Sequence, residues 1–134
     1  MGDNGMTDRD LLNMARDAAK DAYVPYSHFP VGAALECADG TVFTGCNVEN
    51  SSLGCTICAE RTAIVKAVSE GRREFVRLAI YGEGESYCMP CGACRQVISE
   101  FVRKGEDIEV LCTRSGGRYV SYRFSQLLPH PFEF

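Results

Sequence analysis

Five of the eight cysteines crowd into two short segments. The first reads Cys55-Thr56-Ile57-Cys58-Ala59-Glu60-Arg61 and the second Cys88-Met89-Pro90-Cys91-Gly92-Ala93-Cys94-Arg95. In a reducing compartment, cysteines at such spacing point to metal or redox chemistry rather than disulfides. A closed structural zinc would take Cys55 and Cys58 with Cys91 and Cys94, across the intervening segment 59–90. A second closed set replaces Cys55 by Cys88. Four thiolates fill tetrahedral zinc and leave no place for water. An open site would use only Cys58, Cys91 and Cys94. Glu60 favours that set: two residues beyond a ligand in a helix's first turn, its carboxylate reaches the open side of the metal without binding it. The plainer reading of Glu60 is a favourable interaction with the helix dipole. A redox reading takes Cys91 and Cys94 as a dithiol at a helix N-terminus, where thiolates are stabilised, but gives Cys58-Ala59-Glu60 no role. Spacing therefore favours the open zinc site and leaves the other sets standing.

These segments need elements to bring them together. Thr7-x-x-Asp10 has the form of a capping box. It precedes Leu11, Ala15, Ala18 and Ala22, an amphipathic helix that must end before Pro25. Val31 to Cys37 and Thr41 to Cys46 flank Asp39-Gly40, a hairpin signal. Cys58 to Glu70 reads as a helix stopped by Gly71. Val76 to Tyr81 is a short apolar strand, and Pro90 suits the first turn of a helix running to about Val102. Ile108 to Thr113 and Tyr119 to Arg123 are strands around Gly116-Gly117. The helical crossovers Thr41–Tyr81 and Val76–Thr113 make their flanking strands parallel, while the last connection is too short for a crossover and makes its pair antiparallel. The expected fold is α/β: a three-layer α/β/α domain with a five-stranded mixed sheet. Ligands of such folds sit beyond the carboxyl ends of the strands, where helices begin, and both cysteine segments fall there.

The chain has 134 residues, 46% of them hydrophobic and 24% charged, with a formal net charge of −4. That is one ordinary globular domain, taken as 7–134 behind a disordered tail, 1–6. The acidic balance and the scarcity of adjacent basic pairs argue against nucleic acid as a partner. No apolar run approaches the ~18 residues a membrane helix needs, and the first residues lack a signal peptide's basic and apolar regions. The expected location is cytoplasmic.

Several further segments match a known pattern. Cys58-Ala59-Glu60 with Pro90-Cys91-Gly92-Ala93-Cys94 fits the three-cysteine form of the zinc nucleobase deaminase signature. Val24-Pro25-Tyr26-Ser27-His28-Phe29-Pro30-Val31-Gly32-Ala33-Ala34-Leu35, Gly45-Cys46-Asn47-Val48-Glu49-Asn50 and Leu127-Leu128-Pro129 followed by Phe132 complete the likeness. From about Leu11 to Phe132 the sequence resembles the cytidine deaminases that act on free nucleosides. The resemblance implies a homotetrameric hydrolase of pyrimidine salvage that converts cytidine and deoxycytidine to uridine and deoxyuridine plus ammonia. It implies one zinc ion per subunit on Cys58, Cys91 and Cys94, with Cys55 and Cys88 as bystanders and Glu60 as the catalytic proton shuttle to a zinc-bound hydroxide. It implies that Asn47 and Glu49 bind the ribose, that Phe29 packs on the nucleoside, that the Ala59 amide holds the pyrimidine carbonyl, and that Phe132 covers a neighbouring subunit's site. One position departs: Leu53 stands where the family usually carries an aromatic residue.

Without the family, Phe29 reads as core, Asn47 as a turn residue, Glu49 as a surface acid and His28 as a partly buried loop histidine. Cys37, Cys46 and Cys112 read as small core residues in strands. Three thiolates around a dication leave a net charge of −1, which opposes ionisation of a bound water. Helix N-termini and Arg61, with Arg95 as a second option, would offset it. A carboxylate at the ribose end would repel a phosphate, so free nucleosides are expected over nucleotides. Two other readings are a related aminohydrolase for a modified cytosine nucleoside or antibiotic, and a structural-zinc interaction module.

Overall fold

In the computed structural model, residues 5–134 are described; 1–4, most of the expected tail, lie outside them. The Met6 carbonyl accepts a hydrogen bond from Arg77 Nη2 at 2.8 Å. Helix α1 spans Asp8–Ala19 and opens on the expected capping box, with Thr7 Oγ1 accepting from the Asp10 amide and Asp10 Oδ2 accepting from the Thr7 amide. Strands β1 (Gly32–Cys37) and β2 (Val42–Cys46) form the expected hairpin, and Asp39 Oδ1 accepts from the Thr41 amide inside its turn. Helix α2 (Ala59–Ser69), β3 (Phe75–Tyr81), α3 (Gly92–Ser99), β4 (Glu109–Arg114), β5 (Arg118–Arg123) and a short α4 (Phe124–Leu127) complete the chain.

The sheet order is β2-β1-β3-β4-β5. β3 and β4 are parallel, and β4 and β5 antiparallel, as the connection lengths require. β2 and β3 run the same way but do not touch, because β1 lies between them, antiparallel to both. The hairpin is the local pairing, so β2 takes one edge of β1 and β3 the other. Alternation then sorts the strand residues onto two faces. Ala34, Ala79 and Leu111 meet Leu11, Leu12 and Ala15 of α1. Leu35, Leu78, Ile80 and Val110 belong to the larger core with Ala59, Ala63, Ile64 and Ile98 of α2 and α3. The fold is thus α/β with three layers.

Two glycines bring the helices close at the functional end of the sheet. A Cβ on Gly45 would lie 2.6 Å from the Ala63 amide nitrogen, and one on Gly32 would lie 1.9 Å from the Ala15 carbonyl oxygen. No side chain fits at either point, so α2 and α1 rest directly on strand backbone. α3 is shorter than the periodicity suggests. Cys91 is its N-cap, Pro90 precedes it, and beyond Ser99 the chain continues in tighter turns with Phe101 N–H bonded to Ile98 and Val102 N–H to Ser99.

Candidate active site

Cys58 is the N-cap of α2, Cys91 is the N-cap of α3, and Cys94 lies in the first turn of α3. The strands before these helices end on the same side of the sheet: Cys46 of β2 and Tyr81 of β3 both pair with Gly32. The three sulfurs fall within 4.8 Å of one another, with Cys58 to Cys91 at 3.9 Å and Cys91 to Cys94 at 3.5 Å. Zinc bonded to three sulfurs at ~2.3 Å in tetrahedral geometry would hold them about 3.8 Å apart. The donor set and its spacing fit one zinc ion. Cys94 is buried, Cys58 half-buried and Cys91 exposed, so the cluster opens outward. Among the described residues no fourth histidine, cysteine or acid joins this group. Cys55 stands exposed in the turn Leu53–Cys55. Cys88 lies behind the site, where burial pushes its thiol up to about 11, with Glu60 and the Cys58 sulfur adding to the rise. Neither four-sulfur set is assembled.

A hydrogen bond from Cys94 holds the Cys58 thiol down to about 5, and the Arg61 guanidinium adds to the effect. The same bond pushes Cys94 upward. Arg61 Nη2 donates to Cys58 Sγ at 3.4 Å and to the Thr56 carbonyl at 3.3 Å, while its Nε is buried with no acceptor. The thiolate nearest Arg61 is therefore the one most stabilised. Arg95 does not share this task. Its Nε donates to the Pro90 carbonyl at 2.8 Å and its Nη1 to the Leu127 carbonyl at 2.7 Å, so it fastens backbone and the option of Arg95 beside the thiolates is corrected.

Glu60 is the second residue of α2 and only 4% exposed. Burial pushes its carboxyl up to about 7, the Cys58 charge pushes the same way, and its own amide and Cys94 pull back. Ala59 is fully buried at the first helical position, where an amide has no acceptor within the helix.

Asn47 and Glu49 do something the sequence did not reveal. Asn47 Oδ1 accepts from the Val31 amide at 2.9 Å and its Nδ2 donates to the Phe29 carbonyl at 3.0 Å. Glu49 accepts from the amides of Tyr26 and Ser27 and from the Ser27 hydroxyl, which foremost holds its carboxyl below the usual range. Together they fasten the loop that carries Phe29. Phe29 is 36% exposed rather than core. Its ring lies against the backbone of Gly82 and Gly84, with Cys88 beside it; a Cβ on Gly82 would sit 3.1 Å from the ring and 3.0 Å from the Cys88 sulfur. Those glycines carry no sequence signal beyond their type, and only the fold joins them to Phe29. His28 is exposed with φ 57°, not partly buried. Cys37 and Cys112 are buried as expected, and Cys46 is partly exposed. Leu53 is 79% exposed and Phe132 73% exposed.

Known proteins share this arrangement. The family described as the cytidine and deoxycytidylate deaminase zinc-binding region matches residues 6–106. The cytidine deaminase of Sporosarcina psychrophila is 48% identical over 91% of this chain and 88% of its own, and that of Halalkalibacterium halodurans is 47% identical over 91% of both. The crystal structure of the Burkholderia pseudomallei cytidine deaminase superposes with a TM-score of 0.88 at 45% identity, covering 95% of this chain and all of that one. The Mycobacterium tuberculosis cytidine deaminase superposes at 0.78 and 40% identity over 96% of this chain and all of its own. The three-cysteine centre, the three-layer fold and these likenesses agree, and the chain belongs to the zinc-dependent cytidine deaminase family.

Proposed function

We propose that the protein hydrolyses cytidine and deoxycytidine to uridine and deoxyuridine plus ammonia. The observation that carries this reading is a buried carboxyl, Glu60, beside three thiols spaced for one zinc ion with no fourth protein donor among the described residues. Zinc held by Cys58, Cys91 and Cys94 would supply Lewis-acid activation of water, whose free pKa of 15.7 falls toward neutrality on such a centre. Replacing the 4-amino group then needs proton movements that Glu60 performs. Glu60 gives a proton to N3 of the pyrimidine and, later, one to the departing amine. Water supplies the oxygen retained in uridine and two protons: one stays on N3 and the other leaves with the amine as ammonia. General acid–base help of this kind contributes about 10²–10⁴-fold.

Other residues hold the substrate. The Ala59 amide donates to the pyrimidine carbonyl. Phe29 lies along the nucleoside, and the loop locked by Asn47 and Glu49 keeps it there. The two polar side chains face the ribose, chiefly its 3′-hydroxyl. The partly exposed Glu49 carboxylate at that end repels a 5′-phosphate, so free nucleosides are preferred to nucleotides. Arg61 steadies the Cys58 thiolate. The exposed Tyr23, Tyr26, Leu53 and Phe132 supply apolar surface for a homotetramer, in which Phe132 covers a neighbour's site and Leu53 makes a smaller contact than the aromatic residue usual there. Eight free thiols, three of them needed as ligands, suit the cytoplasm and a role in pyrimidine salvage. No described helix is long and apolar enough to cross a membrane.

An ultraviolet assay of purified protein tests the reading. Cytidine is lost, a zinc chelator stops the loss, and cytidine 5′-monophosphate is a poor substrate. Preferred deamination of the monophosphate, or full activity in metal-stripped protein, would overturn it.

A further inference from the structure

The residue after Arg95 also turns away from the sulfurs. Gln96 Nε2 donates to the Phe132 carbonyl at 3.1 Å, and Gln96 Oε1 accepts from the Phe132 amide at 3.3 Å. One side-chain amide thus satisfies both backbone groups of a single residue, as a neighbouring strand would, and this fixes orientation as well as position. Just upstream, Arg95 Nη1 holds the Leu127 carbonyl. The tail between these anchors contains Pro129 and Pro131, whose fixed φ limits its freedom. Leu128 packs against the core, and beyond it an open groove runs beside the tail, lined by Gln96, Ser99, Val102, Leu128 and Pro131. The ring at the end of this tether is 73% exposed. Nothing in this chain's own core gains from holding an exposed ring still, yet two consecutive side chains of the metal-bearing helix α3 hold the tail that carries it.

We propose that Gln96 is a positioning residue for Phe132. It presents the ring at a fixed place outside its own chain, where the ring closes the nucleoside site of a second copy. The closing role rests on the cytidine deaminase reading above; the tether does not. Gln96 touches neither substrate nor metal, so its effect falls on nucleoside binding and passes only through Phe132.

The test exploits a chain without tryptophan. In the zinc-loaded, full-length protein, Phe132→Trp installs one fluorophore at the tip of the tail. Adding Gln96→Ala should lower the anisotropy of that tryptophan and raise its collisional quenching by about threefold, with zinc content unchanged; ring mobility on this timescale is local and independent of turnover. Kinetics complete the test. Phe132→Ala should raise KM for cytidine about 10-fold with kcat within about twofold, and Gln96→Ala about 5-fold with the same split. The double variant should match Phe132→Ala alone, since both remove one interaction. A tryptophan equally fixed without Gln96 overturns the tether. KM effects that multiply, or a loss confined to kcat, overturn the positioning role. If the tryptophan loosens as expected but the unaltered protein deaminates no cytidine, the tether stands while the site-closing role and the reading beneath it both fall.

Discussion

Two glutamates are buried in this small domain, one near each end of the sheet, and they are treated in opposite ways. Glu36 on β1 is 2% exposed and lies 2.6 Å from Arg77 Nε on β3. Arg77 is itself held by Asp8 at 2.8 Å and by the Met6 carbonyl at 2.8 Å, which pins the start of α1 to the sheet. The two carboxylates hold the Arg77 guanidinium well above its usual range. Glu60 is buried almost as deeply but forms no ion pair within 4.0 Å among the described residues, and it faces sulfur instead. A buried charge is costly unless paired. At one end the fold supplies a partner and gains a rigid joint. At the other it withholds one, leaving a carboxyl whose affinity for a proton is raised into the range where it can both give and take. One end of the sheet should therefore govern stability, and the other turnover.

Removing each acid in turn is the sharpest way to break that contrast. Glu60→Gln should lower kcat by at least about 10²-fold, and by up to ~10⁴-fold, while zinc remains bound. Its stability should not fall. The Glu60 carboxyl is raised from 4.5 to about 7 by burial, so its favourable contribution is complete below 4.5 and is lost as pH rises through 7. A neutral glutamine escapes that loss. In urea at pH 8 the variant should be at least as stable as the parent, with the gap closing toward pH 5. Near-normal kcat in Glu60→Gln would end its catalytic role. Glu36→Gln should behave in reverse, losing about 3 kcal/mol in urea with kcat and KM per folded molecule unchanged; the figure sits at the low end for a broken buried pair because Arg77 keeps Asp8. A stable Glu36→Gln, or one with altered KM, would show that the two ends are not separate.

The sequence exposed these acids unequally, for a physical reason. Glu60 was legible because its partners lie in the same helical turn: Cys58-Ala59-Glu60 is a local pattern, as are the Thr7–Asp10 capping box and the Asp39-Gly40 turn. Glu36 was not, since its partner Arg77 is 41 residues away and Arg77's other acid, Asp8, lies 69 residues before Arg77. The insertion of β1 between β2 and β3 is what brings Glu36 and Arg77 side by side, and connection length fixes strand direction, not strand order. The same limit hid the loop-fastening work of Asn47 and Glu49, whose bonds span 16 to 23 residues. It also hid the turning of Arg95 toward Leu127. Motif spacing names groups that act together through a helix turn. It does not say which backbone a polar side chain will hold.

The smallest expected effect tests whether the turnover end tolerates change that the stability end would not. A methyl group at Gly82 would come 3.0 Å from the Cys88 sulfur and 3.1 Å from the Phe29 ring. Both neighbours are side-chain atoms, and the ring is partly exposed, so they can shift by a few tenths of an ångström without disturbing the core. Gly82→Ala should therefore cost less than about 1 kcal/mol of stability. The shift is not free for binding, because the ring it moves is the one proposed to lie along the nucleoside. KM should rise about three- to fivefold, with kcat within about twofold, as expected when an interaction common to bound substrate and transition state is weakened. Adding Cys88→Ala removes the sulfur side of the squeeze and should return part of the lost KM. If Gly82→Ala instead unfolds the protein and leaves KM untouched in what remains, the Phe29 shelf belongs to the scaffold, and the division between the two ends of the sheet fails.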